Sequence, residues 1–243
     1  MLASAQLAAA EDAEHSQAPY TLTFGAIGFA STSPFASDRH ELDTGLTPHF
    51  SFEMGRLSVD PTGAAYALFE TRGLTAQALL APRWVAADPA DVTGLSALKR
   101  DTAIEAGGRV TYASNGLKIS AEYLGDISDT HSGHEINASV GTEFVIGERV
   151  FLGLEAAVSW NDSALGTYRY GVRQSEATAA LAAFEVDSNV TPSLGLQVGY
   201  QVTERATLLG GARVEFLPSE VTDSPIVQRD TILSTFLGVS YGF

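Results

Sequence analysis

Residues 231–243, Thr-Ile-Leu-Ser-Thr-Phe-Leu-Gly-Val-Ser-Tyr-Gly-Phe, decide how the rest of the chain is interpreted. From Leu233 to Phe243 every second residue is apolar apart from one threonine, and the residues between them are smaller or more polar except at Phe236. This period of two predicts a β-strand. The stretch is longer than the roughly 9–11 residues that a strand needs to cross a membrane. Aromatic rings near its end, such as that of Tyr241, suit a membrane interface.

The same alternation recurs upstream. It predicts about twelve strands, and therefore an all-β fold. The predicted strands are 20–30, 46–54, 57–60, 64–70, 74–84, 102–112, 117–124, 134–146, 150–160, 191–202, 206–216 and 231–243.

Short and long connections alternate along most of the chain. Tight turns are predicted near Gly55, Arg72, Asn115, Gly147 and Glu204, and longer polar segments separate them. A compact link at Pro61 is the exception. Outer-membrane barrels have short periplasmic turns and longer external loops. We therefore predict a closed antiparallel transmembrane β-barrel of the outer-membrane type with both termini in the periplasm.

Ionised residues lie in mid-strand on the face opposite the apolar one. In a soluble sandwich such charges face water, whereas in a membrane barrel they line a polar lumen in which they can pair. We predict that the lumen is lined by Glu105, Arg109, Glu122, Glu143, Glu155, Arg213 and Glu215. A soluble all-β protein remains the alternative at this point.

Composition excludes several classes of protein. The formal net charge of −15 argues against a nucleic-acid-binding protein, because phosphate neutralisation needs a basic surface. The chain has no cysteine, which excludes disulfides and thiolate metal sites. No apolar run approaches the roughly 20 residues of a transmembrane helix, but alternating barrel strands escape hydropathy windows.

The N-terminal segment differs in composition from the rest. Residues 1–17 are rich in alanine and other small residues, and Ala10 before Glu11 fits a cleavage site. We interpret 1–17 as the remnant of an export signal or a flexible leader, with a simple disordered terminus as the alternative. The barrel is predicted to occupy 18–243.

Two motifs in the C-terminal half resemble those of the MipA/OmpV family, the MltA-interacting outer-membrane proteins. Residues 168–172, Tyr-Arg-Tyr-Gly-Val, together with Ser175 resemble that family's Tyr-x-x-x-Tyr-Phe-Gly-Val region. Residues 223–227, Asp-Ser-Pro-Ile-Val, resemble its Asp-Ser-Pro-Ile-Val loop. Arg169 departs from the usual pattern. The resemblance covers 94–243 well and the N-terminal third loosely.

The resemblance implies an outer-membrane barrel that, in some members, is a scaffold joining a lytic transglycosylase to a peptidoglycan synthase. Other members are porin-like, so a narrow channel for small polar or cationic solutes is the alternative. The closing strand also resembles the signal read by the barrel-assembly machinery, with Gly238, Tyr241 and Phe243 as its residues. Outer-membrane lipid and lipopolysaccharide are the remaining expected partners.

Catalytic chemistry has one weak candidate in the sequence. His131 and His134 lie near Asp126 and Asp129, and a hydrolase at the barrel rim would use such residues. A polar loop explains the same cluster, and no third metal ligand has a recognisable spacing. We therefore predict a non-enzymatic protein with no catalytic, cofactor-binding or metal site. The alanine-rich piece at 175–184 is predicted as a short helix.

Overall fold

A computed structural model of the chain describes residues 20–35, 42–85 and 87–243. The predicted leader, 1–17, lies outside the described residues. The described part contains twelve strands, which confirms the predicted number. Their bounds are β1 Thr21–Thr32, β2 Leu42–Met54, β3 Leu57–Asp60, β4 Gly63–Thr71, β5 Leu74–Arg83, β6 Ala103–Ser114, β7 Leu117–Asp126, β8 His134–Ile146, β9 Val150–Asn161, β10 Asn189–Gln201, β11 Ala206–Phe216 and β12 Thr231–Gly242.

The strands form one closed antiparallel barrel, so the predicted fold class is confirmed. Each strand pairs with its neighbours in the chain, and β12 returns to pair with β1. The register of this closing pair includes Phe24 opposite Tyr241 and Phe29 opposite Phe236. Closure gives both terminal strands a partner on each side, which removes the open edges of the sheet. No helix in the described part of the chain is long and apolar enough to cross a membrane.

The two ends of the barrel differ in their connections. At one end, here called the turn end, tight turns follow β2, β4, β6, β8 and β10, and both terminal strands have their outer ends there. Arg72 and Asn115 have positive φ, and each is followed by a glycine that also has positive φ. Such residue pairs make hairpin turns that match the twist of the strands. The opposite end, here called the loop end, carries the longer connections.

The two faces of the wall differ as the alternation predicts. The outward face is apolar and exposed, with Leu46 at 78% and Leu237 at 70% exposure. The inward face carries most of the polar and charged side chains. A wall that is apolar outside and polar inside suits lipid around the barrel and water or ion pairs within it.

Segments from four loops at the loop end pack together and form what we call the cap. These are the described parts of the connections after β1, β5, β9 and β11. They include α1 (Ser163–Tyr170) and α2 (Ser219–Thr222). Their buried apolar side chains form one cluster of Phe35, Val92, Leu98, Tyr170, Val172, Val186, Leu217, Val221, Ile226 and Val227. The loop end of the barrel is therefore covered by a small core of its own.

The predicted helix at 175–184 is wrong, because that piece forms turns and bends. The helix lies earlier, at Ser163–Tyr170, where Asp162 accepts a hydrogen bond from the backbone N–H of Leu165 and caps the N-terminus. This bond satisfies one of the free N–H groups of the first turn. The alanines of 175–184 have high helix propensity, but propensity is a weak prior that tertiary context overrides.

Most strand bounds agree with the prediction to within two residues, and β2 is the main exception. It begins at Leu42 rather than at residue 46, within a stretch that was predicted as polar loop. Pairing with β1 explains the extension, since Thr32 lies opposite Leu42 and Phe29 opposite Gly45. A partner strand therefore extends β2 through residues whose own alternation is weak.

Alanine in place of Gly25 should weaken the seam between β1 and β12, whereas alanine in place of Gly28 should be tolerated. A Cβ atom on Gly25 would lie 2.0 Å from the carbonyl oxygen of Val239. On Gly28 the nearest atom would be the carbonyl oxygen of Leu237, at 3.8 Å. Overpacking costs about 1–3 kcal/mol. Urea unfolding of the refolded barrel measures this difference, and equal stability of the two variants would contradict it.

Candidate functional site

An ion-pair bridge centred on Arg83 lies on the inner side of the barrel wall beneath the cap. The Arg83 Nε donates to Glu105 Oε1 at 2.7 Å, and its Nη2 donates to Glu135. Glu105 lies on the neighbouring strand β6, but Glu135 lies on β8, so the bridge passes over β6 and β7. Both carboxylates are almost fully buried. Arg83 therefore ties together three strands of the wall, β5, β6 and β8.

The bridge extends to the cap side and to β9. The Ser159 hydroxyl donates to Glu135 Oε1 at 2.6 Å. On the other side, His131 Nε2 lies 3.2 Å from Glu105 Oε1, and its Nδ1 accepts from the Gly133 N–H at 3.0 Å. The His131 side chain is fully buried. Each carboxylate of the bridge thus has more than one polar neighbour, as a buried charge requires.

Arg169 of α1 adds a positive charge from above. Its guanidinium lies 4.9 Å from the ring centroid of Tyr170. The residue at which the chain departs from the resembled motif therefore places a cation in the cap, beside a buried ring.

Two further arginine–glutamate pairs lie inside the barrel. Arg109 Nε donates to Glu122 Oε2 at 2.6 Å between β6 and β7. Arg213 pairs with Glu155 across the intervening strand β10, and it also donates to Ser193 Oγ at 2.8 Å. The structure thus brings four of the seven predicted lumen residues into two pairs, and it places Glu105 in the bridge.

The two remaining predicted lumen residues have a different environment. Glu143 lines a small cavity near the turn end together with Phe151, Gln197 and Leu209. Glu215 lies at the loop-end half of β11, opposite Ser193. Neither carboxylate forms an ion pair within the described ranges. Five of the seven predicted lumen residues therefore take part in ion pairs, and Glu143 and Glu215 do not form one within the described residues.

An arginine–glutamate cluster holds the cap in shape. Glu176 accepts from Arg100 Nη1 at 2.6 Å and from Arg173 Nη2 at 2.6 Å, and Arg100 Nη2 also donates to the Gly171 carbonyl at 3.0 Å. Burial by itself raises the pKa of the Glu176 carboxyl, but the hydrogen bonds from the two arginines outweigh it and hold the pKa below the ordinary value. The carboxylate is thus kept ionised within the cap.

The two sequence motifs meet in this cap although about fifty residues separate them. The Ser224 hydroxyl donates to the Tyr170 carbonyl at 2.5 Å, and Ile226 and Val172 are almost fully buried in the same cluster. A Cβ atom on Gly171 would lie 2.7 Å from the Phe184 carbonyl oxygen, so only glycine fits there without a shift. The motifs therefore encode the closure of the loop end.

The residues of the predicted assembly signal lie on β12 and just after it. Gly238 lies against Ile27, since a Cβ atom there would come within 2.7 Å of Ile27 Cγ1. Tyr241 and Phe243 are exposed on the outer surface at the turn end, and the Phe243 ring contacts that of Phe24 edge-on at 6.0 Å. The assembly role of these residues stays a prediction.

The His131 and His134 region has a structural explanation. Asp126 accepts hydrogen bonds from the N–H groups of Ser128, His131 and Ser132, which folds the loop after β7. His134 Nδ1 instead pairs with the Tyr123 hydroxyl at 2.9 Å. The two histidines thus have separate partners. No group of three or more possible metal ligands occurs among the residues that the structure describes.

Sequence reasoning missed several residues of the site. Glu135 follows the same inward alternation as Asn137 and Glu143 on β8, so its position was readable from the pattern. Arg100 and Glu176 lie in loops without periodicity, and no local signal marks them. Their role depends on the meeting of two loops distant in sequence.

The family of MltA-interacting protein MipA matches residues 24–243 of the chain. The chain belongs to this family. The match spans nearly the whole described barrel and both motifs of the cap.

Relatives with known names include outer-membrane proteins. The Omp26La outer membrane protein of Vibrio anguillarum is 25% identical over 198 residues, which cover 80% of this chain and 77% of that protein. The YiaT chain of Escherichia coli O157:H7 is 26% identical over 228 residues, 91% of each chain. The MltA-interacting protein of Escherichia coli K12 is 32% identical over 87 residues, 35% of each chain. The protein is an outer-membrane barrel of the MipA family.

Solved structures of similar shape include the NanC porin. Its TM-score to this chain is 0.49 at 10% sequence identity, and the similarity covers 90% of this chain and 98% of that one.

Alanine in place of Arg83 should destabilise the barrel by about 3–5 kcal/mol, because it leaves the buried carboxylates of Glu105 and Glu135 without a cation. Alanine in place of Arg213 is the matched control. The Arg213–Glu155 pair is more exposed to solvent, so its loss should cost about 1 kcal/mol. Unfolding by denaturant in detergent compares the two variants. A larger loss for the Arg213 variant would contradict the buried bridge.

Glutamine in place of Glu176 should remove a pH-dependent part of the cap's stability. The folded-state pKa of Glu176 is lowered from 4.5, so its contribution is complete above that value and is lost as pH falls through the lowered pKa. The difference in unfolding free energy between wild type and the Glu176→Gln variant should therefore shrink below pH 4.5. A difference in unfolding free energy that stays constant down to acid pH would contradict a stabilising role for the ionised Glu176 carboxylate.

Proposed function

We propose that the protein is a non-enzymatic structural barrel of the outer membrane that acts as a scaffold linked to peptidoglycan-remodelling enzymes. The observation that carries this proposal is the bridge from Arg83 to Glu105 and Glu135 beneath the cap. Buried ion pairs on the inner wall and a packed cap at the loop end leave less room for a continuous water path, which argues against steady conduction. The surface left for a function is then the turn end.

In this proposal both termini and the short turns face the periplasm. Outer-membrane barrels generally have short periplasmic turns and long external loops. The turn end then faces the peptidoglycan, and the cap faces the lipopolysaccharide layer. The barrel-assembly machinery would read Gly238, Tyr241 and Phe243 at the closing strand.

The turn end carries exposed charges of both signs, and its acidic residues include Glu70, Glu148 and Glu204. We call its exposed basic residues the basic turn ring, namely Arg56, Arg72, Lys118, Arg149 and Arg205. None of the five forms an ion pair within the described ranges. Basic side chains of this kind are available to pair with carboxylates of a partner protein. The basic turn ring gives the scaffold a docking surface.

The relative named MltA-interacting protein supports the choice of partner. That name states an interaction with MltA. We propose a lytic transglycosylase as the first partner of this chain and a peptidoglycan synthase as the second.

Binding to the lytic transglycosylase of the same organism tests the scaffold. The refolded barrel should bind the purified enzyme, and glutamate at Arg56, Arg149 and Arg205 together should weaken binding about tenfold or more, most strongly at low salt. The Lys99→Glu variant is the matched control, because Lys99 is an exposed cation at the loop end. Wild-type barrel that binds neither a transglycosylase nor a synthase would overturn the proposal.

A narrow channel for small cations is the second candidate, and Glu143 is the observation that favours it. Its carboxylate lines a cavity near the turn end without an ion-pair partner in the described chain. The scaffold predicts that refolded wild type stays silent in a planar bilayer. Steady cation-selective openings, reduced by Glu143→Gln, would favour the channel instead.

A further inference from the structure

An apolar band lies on the inner face of the wall, where β9 to β12 and β1 run side by side. Strand alternation places its members on the same face as Glu155 and Arg213, which are ion-paired inside the barrel. The strand register joins them into two neighbouring rows. We call these five residues the inner apolar band: Phe29 and Phe236 in one row, and Phe151, Leu209 and Ile27 in the row nearer the turn end.

The two phenylalanines of the first row lie along the wall, because each has a glycine beside it. A Cβ atom on Gly45 would come within 2.4 Å of Phe29 Cζ, and one on Gly211 would come within 2.5 Å of Phe236 Cε1. Each ring therefore fills the space over a neighbouring strand in which another residue would place its side chain. One side of each ring lies against the backbone, and the other side faces the interior. Together the rings form an apolar platform.

The interior in front of the band is accessible to solvent. Phe29 is 40% exposed, and the side chain of Arg109 on the opposite arc is 34% exposed. In the bridge beneath the cap, by contrast, the side chain of Glu105 is only 2% exposed. The accessible space includes a recess of about 350 Å³, counted with its open mouth, which is lined by Glu143, Phe151, Gln197, Thr207 and Leu209. A recess of this size suits a small ligand.

Ion pairs near the band present both signs of charge to such a ligand. Glu155 and Arg213 lie one row nearer the loop end, and Arg109 and Glu122 lie on the opposite arc. A ligand with a single charge would therefore meet a like charge as well as an opposite one. A hydroxyl group, in contrast, can donate to a carboxylate and accept from an arginine. The pairs thus favour a neutral ligand with several hydroxyl groups.

Single polar side chains continue the row of the platform. Gln197 is separated from Phe236 only by a glycine, and its amide can both donate and accept. Glu143 follows at the far end of the same row. Lys118 of the basic turn ring lies on β7, one inward position away from Glu143. Here too a carboxylate and an ammonium group lie near each other, so neither sign of charge dominates beside the platform.

A pyranose sugar combines the two properties that this interior favours. One face of its ring is formed by C–H groups, and its hydroxyl groups lie around the edge. The face of a phenyl ring carries partial negative charge and attracts weakly positive C–H groups. An open-chain polyol has the hydroxyl groups but no flat apolar face, and a hydrocarbon has no use for the polar side chains.

We propose that the inner apolar band is a binding platform for a neutral pyranose, which enters from the turn end and stacks on Phe236 and Phe29. Its hydroxyl groups bond to Gln197 and to the ion pairs beside the band. The cap covers the loop end, so the sugar is held in an interior that is closed on that side. A free sugar and the end of a glycan strand present the same ring chemistry. Binding requires no partner protein and does not depend on the scaffold role.

Saturation-transfer NMR with the refolded barrel tests the platform, in a detergent that lacks a sugar headgroup. The probes are glucose, its β-linked trimer cellotriose, the open-chain polyol sorbitol and the aromatic cation phenethylamine. Saturation should reach the ring C–H protons of the sugars, and glucose should bind about fivefold more tightly than sorbitol. Tighter binding of the trimer than of glucose identifies a glycan strand as the source, and equal binding identifies a free sugar; both support the platform.

Three results of this comparison would overturn the proposal. Sorbitol that binds as well as glucose would show that no ring face is recognised. Phenethylamine that binds more tightly than either sugar would replace the sugar by a cation. A folded barrel that binds neither sugar would remove the site.

Substitution of Phe236 separates ring stacking from simple apolar contact. Phe236→Leu should raise the dissociation constant of the sugar about fivefold, whereas Phe236→Tyr should change it by about twofold or less, because only tyrosine keeps the ring. Phe144→Leu is the matched control, since Phe144 lies on the outer face and is 48% exposed. Heat-modifiability shows that each variant forms the barrel. Wild-type affinity in the Phe236→Leu variant, or an equal loss in the Phe144→Leu variant, would overturn the platform.

Discussion

Pairing of β1 with β12 is the constraint on which the rest of the structure depends. Within a membrane every backbone N–H and C=O needs a partner inside the protein, because lipid tails offer none. A sheet of twelve strands meets this demand only when its first and last strands join. The small residues of the seam, such as Gly25 and Gly238, let the two backbones approach closely. The closed wall then holds every interior side chain in place.

A closed barrel encloses charged side chains, which must be either hydrated or paired with opposite charges. Here the chain pairs its charges near the loop end, through Arg83 with Glu105 and Glu135, and it packs a separate apolar core above them. The two family motifs contribute residues to that core. The wall, the bridge and the cap therefore act together to close the loop end of the barrel.

Much of the fold was predictable from the sequence because strand alternation is local. The twelve strands and their inward charges follow from a period of two, and the tight turns follow from residues such as Asn115 and Gly116. The predicted helix at 175–184 was wrong because the prediction relied on alanine content. The helix that forms begins after Asp162, which caps it through the backbone N–H of Leu165. The cluster of Arg100, Arg173 and Glu176 was not predictable, since no periodicity relates loops that meet only after the barrel has closed.

The sequence by itself determined the strands, their apolar and polar faces and the order of short and long connections, since each depends on neighbours a few residues apart. Tertiary structure alone decided which charges pair, because Arg83 reaches Glu135 only when β5 and β8 curve around one interior. The tertiary structure also decided that β2 is longer than β3. The length of a strand in a barrel is set by its partner on each side, and β2 has β1 along its whole length but β3 along only three residues.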